Sequence, residues 1–289
     1  MASVTDARRA DPVLGFYGPD SMMWRINREA VLLGAGPAAL LLQVAHPLIA
    51  EGVAHHSSFE QDPWKRLHGT IRTTMDLVFG DGAAANRAVK RLNSVHAGVR
   101  GDVADDEARR VASAYRAMDP ALLLWVQATL IVTSVAAYQR WVGPLSATER
   151  DRFWQEARAV GVRLGIPLSL SPQDWPALEA YWGKMLADDG PVHVTPTARR
   201  LARSIVRPPF PFVPGPLVDL AALPGMALLP PRIRSEFDIT WSVPKAALAA
   251  GLSVAVRVWT AIVPRQLRSM PQALAADRRI RRATISGHP

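Results

Sequence analysis

The sequence predicts an all-α protein built as a single large helical domain, on three observations. Apolar residues recur at spacings of three and four along most of the chain, and proline and small polar residues punctuate these stretches where helices start and stop. No run alternates with the period of two that a half-buried strand requires. With 289 residues, 49% of them hydrophobic, the chain can bury a core of the size such a domain needs. No internal repeat divides it.

Pro37 fits the first position of a helix through AALLLQVAH, which Pro47 loosens at its end. Asp62 and Pro63 form an N-cap and N1 pair for a helix in which Leu67, Ile71 and Val78 share a face, stopped at Gly80, Asp81 and Gly82. In the following stretch, 83–100, Val89, Leu92, His96 and Val99 fall at spacings of three, four and three, which puts the His96 imidazole on the apolar face of an amphipathic helix. Asp119 and Pro120 open an apolar helix through Tyr138, and Gly143 and Pro144 end it. Ser146 and Glu149 form a capping box for a helix to about Leu164, and Ser171 and Pro172 start a short one reaching Leu186. From Arg207 to Pro216 prolines are too dense for regular helix, so this is an extended connector. Helical patterns return over 217–229, 245–263 and 271–282. The organisation is an N-terminal extension over 1–23, a core over 24–206, a connector over 207–216, and C-terminal helices over 217–289 that pack on the core and carry a basic tail.

There is no cysteine, which excludes disulfides, zinc-thiolate sites, iron-sulfur clusters and thiolate nucleophiles; a metal would be held by His, carboxylate or Tyr. The net charge of +9 is almost wholly arginine, with lysine at Lys65, Lys90, Lys184 and Lys245, a pattern that fits a GC-rich bacterial genome better than a designed phosphate-binding surface. The arginines are scattered and no reader motif accompanies them, so no nucleic-acid partner is expected. The densest cluster, Arg278, Arg279, Arg281 and Arg282, reads as a solvated, frayed tail, with peripheral membrane contact as its alternative. The N-terminus lacks the apolar core of a secretory signal, which predicts a cytoplasmic location. Two uncharged runs, 30–50 and 120–139, are long enough to span a bilayer. Glycine, proline and polar residues within them favour buried core helices over membrane insertion.

No glycine-rich nucleotide loop and no GxSxG elbow is present, which removes support for nucleotide chemistry and serine hydrolysis. Five of the seven histidines, His46, His55, His56, His68 and His96, fall between residues 46 and 96. An imidazole facing a core is costly unless it is hydrogen-bonded or ligated. His96 is therefore either a satisfied core histidine or the proximal ligand of a haem. Arg66 and Thr70, at i and i+4, share a helix face. They offer a cationic fork and a hydroxyl to a haem propionate or distal ligand, or else are an exposed arginine beside a threonine bonded to its own helix.

The string GPAALLLQVAHPLIAEGVAHHSSFEQDPWKRLHGTIRTTMDLVFGD is followed in order by NSVHAGVRG, YRAMDPALLLWVQATLIVTS and GPLSATERDRFWQEA. From about Trp24 to Tyr181 this resembles the rubber oxygenases (latex clearing proteins) and MpaB-type oxygenases, with weaker similarity in RIRSEFDITW and the arginine-rich end. The resemblance implies a globin-like core binding haem b through its iron, and cleavage or oxidation of an apolar substrate with O2. By position in the motifs, His96 in HAGVR matches the proximal iron ligand, and Arg66 and Thr70 in RLHGT match the arginine and threonine that flank the haem. The rubber-cleaving members place a lysine immediately before that threonine; here the residue is Gly69, so an iron capped by its own lysine is not expected. Their catalytic carboxylate has Glu51 as its nearest counterpart, with Glu60 as the other candidate.

The function expected from this resemblance is a haem b dependent oxygenase acting with O2 on a small, unsaturated, lipophilic substrate of isoprenoid type. Helices such as LLLQVA and LLLWVQATLIV would line its apolar pocket, and a buried carboxylate would take an allylic proton. Three alternatives stand beside it: a haem carrier or gas sensor without turnover, a non-haem iron protein using Glu51, His55, His56 and His96, and a membrane-associated structural protein with no cofactor.

Overall fold

The computed structural model describes residues 10–56, 63–207 and 213–285, and leaves the side chains of 63–67 outside that description. The fold is all-α, as predicted. Its first half contains α1 (Met22–Asn27), a 3-10 turn (Ala30–Ala35), α2 (Gly36–Val44), α3 (Pro47–His56), α4 (Pro63–Phe79), α5 (Gly82–Gly98), α6 (Asp106–Arg109) and α7 (Pro120–Trp141). The second half contains α8 (Ala147–Gly161), α9 (Trp175–Met185), α10 (Pro196–Val206), α11 (Gly215–Met226), α12 (Pro231–Glu236), α13 (Val243–Ile262), α14 (Arg265–Arg268) and α15 (Pro271–Ile285). Strands β1 (Arg100–Asp102) and β2 (Ala114–Arg116) pair antiparallel with Gly101 opposite Tyr115. They escape a sequence reading because three residues are too few to display alternation.

Two of the caps read from sequence form where they were expected, and a third, Asp62, lies outside the described residues. Ser146 and Glu149 make a reciprocal capping box, Asp119 accepts the Ala121 N–H, and Asp81, read as part of a stop, also starts α5 by accepting the Ala84 N–H. Other boundaries move. The helix expected from Ser171 begins three residues later, with Asp174 accepting the Ala177 N–H and Pro176 in the first turn. α11 starts inside the expected connector, with Pro216 in its first turn, and residues 208–212 of that connector lie outside the described residues. α10 and α12 are helices the sequence reading passed over, although Thr195, Pro196 and the 198, 201, 202, 205 apolar spacing spell α10.

The run over 30–50 is not one rod. The segment through Val44 and α3 meet at an angle of 107°, with His46 at the bend. α7 runs through the bundle, with 61% of its most apolar window buried, and packs against α2, α8 and α13. One core gathers Trp24, Phe79, Phe153 and Trp154, and a second gathers Leu41, Leu42, Trp125, Leu201 and Ile233; Tyr181 packs against both. Trp125 donates its Nε1 to the Leu42 carbonyl at 3.0 Å, tying α7 to α2.

The arginine-rich end is not frayed, because α15 runs to Ile285 and buries Ala273 and Ala276. Arg279 donates to the Val13 carbonyl at 3.0 Å and to the Phe79 carbonyl at 2.8 Å, and Asp277 pairs with Arg28 at 2.9 Å. The third of these is an ion pair between two poorly exposed side chains, the second satisfies a carbonyl at the end of α4, and the first satisfies one in the Asp11–Gly15 turn.

Candidate functional site

α4 and α5 form an antiparallel helical hairpin turning at Gly80 and Asp81. The first turns of α4 therefore lie level with the last turns of α5, which brings the backbones of Arg66 and His96 to the same end of the hairpin. The turn is clamped. The Asp11–Gly15 loop lies against it so closely that a Cβ at Gly15, where φ is +80°, would meet the Gly80 carbonyl oxygen at 2.1 Å. Arg279 ties that loop to the end of α4 by donating to both the Val13 and Phe79 carbonyls. α5 is fixed further along by buried Ala85 and Ala88 and by Asn93, whose Nδ2 donates to the Arg163 carbonyl at 3.0 Å.

His96 lies in the last turn of α5 and is half-buried, with Leu92 and Val99 of its stripe in the same state. His68, Gly69 and Thr70 of α4 are exposed. Arg66 stands in the opening turns of α4, where side chains are outside the described residues, and Glu60 lies outside them altogether. A Cβ at Gly69 or Gly98 would meet nothing within 4 Å, so no described side chain fills the space beside either glycine. A half-buried imidazole in the last turn of α5 has the chemistry to hold a haem through one axial nitrogen.

Glu51 occupies a different setting. It is 1% exposed on α3, and its Oε2 accepts the Ala104 N–H at 2.7 Å and the Asp105 N–H at 3.3 Å, with His55 Nε2 at 3.6 Å. These bonds anchor the loop between β1 and α6. Asp105 continues the network by accepting the Glu107 and Thr197 N–H groups, joining α6 to the start of α10. Tyr115 on β2, which sequence reasoning missed, lies 3.1 Å from His56 Nε2 and stacks near His55 with ring centroids 6.4 Å apart. Burial, then the charges of Glu51 and Asp102, raises its phenol above the ordinary range, so it stays protonated as a hydrogen-bond donor. The segment SAYRAMD carried no motif that singles this tyrosine out. A Cβ at Gly52 would touch Val99 Cγ1 at 3.4 Å, so α3 packs directly beside the chain leaving His96.

Glu51, His55, His56 and His96 do not converge on one point. Among the described residues no group of three or more His, Asp or Glu side chains is arranged to hold a metal ion, so the non-haem iron site read as an alternative is not assembled. The helices expected to line an apolar pocket are instead packed core, with Leu41, Leu42, Val44, Leu124 and Ile131 all buried. A cavity of about 350 Å³ lies elsewhere, lined by charged groups including Asp20, Arg25, Glu149, Arg152 and Arg265, and no residue of α4 or α5 contributes to it.

Because the buried Glu51 carboxylate ties down two backbone amides from 53 and 54 residues away, Glu51→Ala should destabilise the fold by about 2 to 3 kcal/mol, read from the urea midpoint. Glu51→Gln, which keeps an acceptor oxygen, should lose less. His46, at the bend before α3, is 5% exposed, and its Nδ1 has no hydrogen-bond partner among the described residues. Burial first, then the neighbouring His193, pushes its imidazole down to about 4, opposed by Asp119. The unfolded chain, with an ordinary imidazole near about 6.5, therefore binds a proton that the folded chain refuses between these values. Stability should fall as pH drops from about 6.5 to 4, by about 3 kcal/mol in total, and His46→Phe should flatten this part of the pH profile of thermal unfolding.

The family described as "ER-bound oxygenase mpaB/B'/Rubber oxygenase, catalytic domain" matches residues 23–261. Two uncharacterized proteins, one from Mycobacterium bovis and one from Mycobacterium tuberculosis, are each 32% identical over 216 residues, covering 71% of this chain and 80% of theirs. No solved structure gives a significant match.

Proposed function

Given that the chain belongs to the ER-bound oxygenase mpaB/B' and rubber oxygenase catalytic-domain family, we propose that it is a haem b dependent oxygenase using O2 on an unsaturated, lipophilic substrate of isoprenoid type. The observation that carries this reading is the position of HAGVR, whose His96 stands half-buried in the last turn of α5, at the end of the α4–α5 hairpin where the α4 turns that bear Arg66 and Thr70 also lie.

When bound, haem supplies the redox-active iron that O2 chemistry needs. His96 would hold it through a ring nitrogen. Arg66 offers a planar fork of N–H donors, suited to gripping a propionate or to stabilising negative charge as it develops. Thr70, one turn further along α4, orients the reacting groups through its hydroxyl. Glu51, whose Oε2 accepts the Ala104 and Asp105 amides, is the first candidate for the carboxylate that would take an allylic proton. Glu60 is the alternative base.

Freshly purified protein should show a strong Soret band with about one haem per chain, and should consume O2 with some member of a panel of isoprenoid and unsaturated lipid substrates. Haem binding without O2 uptake on any of them would instead support a non-catalytic haem protein. Protein that neither carries nor takes up haem would overturn the reading.

A further inference from the structure

α13 is a second helix long and apolar enough to cross a membrane, yet its surroundings are the reverse of those of α7: 17% of its most apolar window is buried, against 61%. Its inner face is committed to the bundle. Ala249, Ser253 and Thr260 are buried, Arg140 donates to Ser253 Oγ at 3.2 Å, and Thr260 Oγ1 donates to the Trp141 carbonyl at 2.6 Å. Its outer face is an apolar strip in which Val254, Val258 and Ile262 follow one another at i, i+4 and i+8, with Ile262 74% exposed. Leu267 in α14, just beyond α13, is also exposed, and Leu217 and Leu220 are exposed on α11, which packs beside α13. A contiguous exposed apolar surface of this kind marks a contact with something apolar.

Charge identifies what that is. From Ile239 to Ala276 the chain contains no Asp or Glu, while Lys245, Arg257 and Arg265 are exposed cations around the strip. Arg257 lies on one flank, its guanidinium donating to the Gln139 carbonyl at 3.1 Å, and Trp259 lies on the other, half in solvent. A second copy of the chain would set cation against cation across such a strip. An acidic protein would answer the cations and leave the valine and isoleucine row uncovered. A bilayer with anionic headgroups answers both, with an amphipathic indole at headgroup depth.

We propose that the outer face of α13, with α14, docks on an anionic lipid membrane, α13 lying in the plane of the interface with Val254, Val258 and Ile262 among the acyl chains. The helix does not cross the bilayer, because its other face is held along its length by α7 and α11. The arginine-rich end, where membrane contact was the alternative to a solvated tail, is stapled to the bundle, and the contact falls instead on a helix the sequence did not single out. It stands whether or not the oxygenase reading holds.

Flotation with phosphatidylcholine vesicles, with and without phosphatidylglycerol, tests it on the full chain. Wild type should float with the anionic vesicles, less with neutral ones, and less as salt rises. Val258→Glu combined with Ile262→Glu should cut that binding by at least about tenfold, since it places two carboxylates at an apolar and anionic surface. Both positions are exposed, so circular dichroism and the thermal midpoint should not move, and Val258→Leu with Ile262→Leu should float like wild type. Replacing Arg278, Arg281 and Arg282 by Gln should leave binding within about twofold, because that end does not touch the membrane. Equal flotation of the double-glutamate variant, equal binding to neutral vesicles, loss of binding in the Arg variant, or a wild-type dimer that the glutamates dissolve without vesicle binding would each overturn the proposal.

Discussion

Purified His96→Ala protein is expected to lose its Soret band, with haem content falling at least about tenfold, because removing the axial nitrogen leaves only non-covalent contacts to hold the macrocycle. The side chain is half-buried in the last turn of α5, so its truncation leaves the buried Ala85 and Ala88 contacts intact and the fold should survive. Far-UV circular dichroism checks that. His68→Ala, on the exposed part of α4, is the matched control and should keep its haem. A folded His96→Ala protein with undiminished haem would remove His96 from the site.

Thr70→Val and Arg66→Ala should keep most of the haem while O2-dependent turnover falls by about 10²-fold each, the usual loss when one stabilising donor is taken from an active site. Valine preserves the shape of threonine and deletes the hydroxyl, and alanine deletes the cationic fork. Steady-state O2 consumption with the best substrate of the panel, together with haem stoichiometry, separates the two effects. Variants that turn over like wild type would leave these residues as surface groups of α4, a role the exposure of Thr70 also allows.

Much of the hairpin was legible because its determinants are local. Asp81 caps α5 through a residue three positions on, and the spacing of Leu92, His96 and Val99 fixes their common face. The setting of Glu51 was not legible, since its partners are the Ala104 and Asp105 amides, and neither a motif nor a period links residues so far apart. The same holds for Tyr115, placed against His56 by a two-stranded hairpin too short to show a pattern, and for Arg279, whose carbonyl partners lie 266 and 200 residues away.

The sequence by itself determined the helical class, most helix starts and the family, because caps, proline positions and motif order are all properties of neighbouring residues. It also marked α7 as apolar, while α13 was read only as a helical pattern. Only the tertiary structure decided that α7 is wrapped by α2, α8 and α13 while the outer face of α13 is left open, and that His46 is sealed at a bend while His96 stays half-buried at the end of a hairpin. The physical reason is that hydrophobic burial is non-directional. A pattern of side chains says which face must leave water, and the packing of elements distant in sequence settles what covers it.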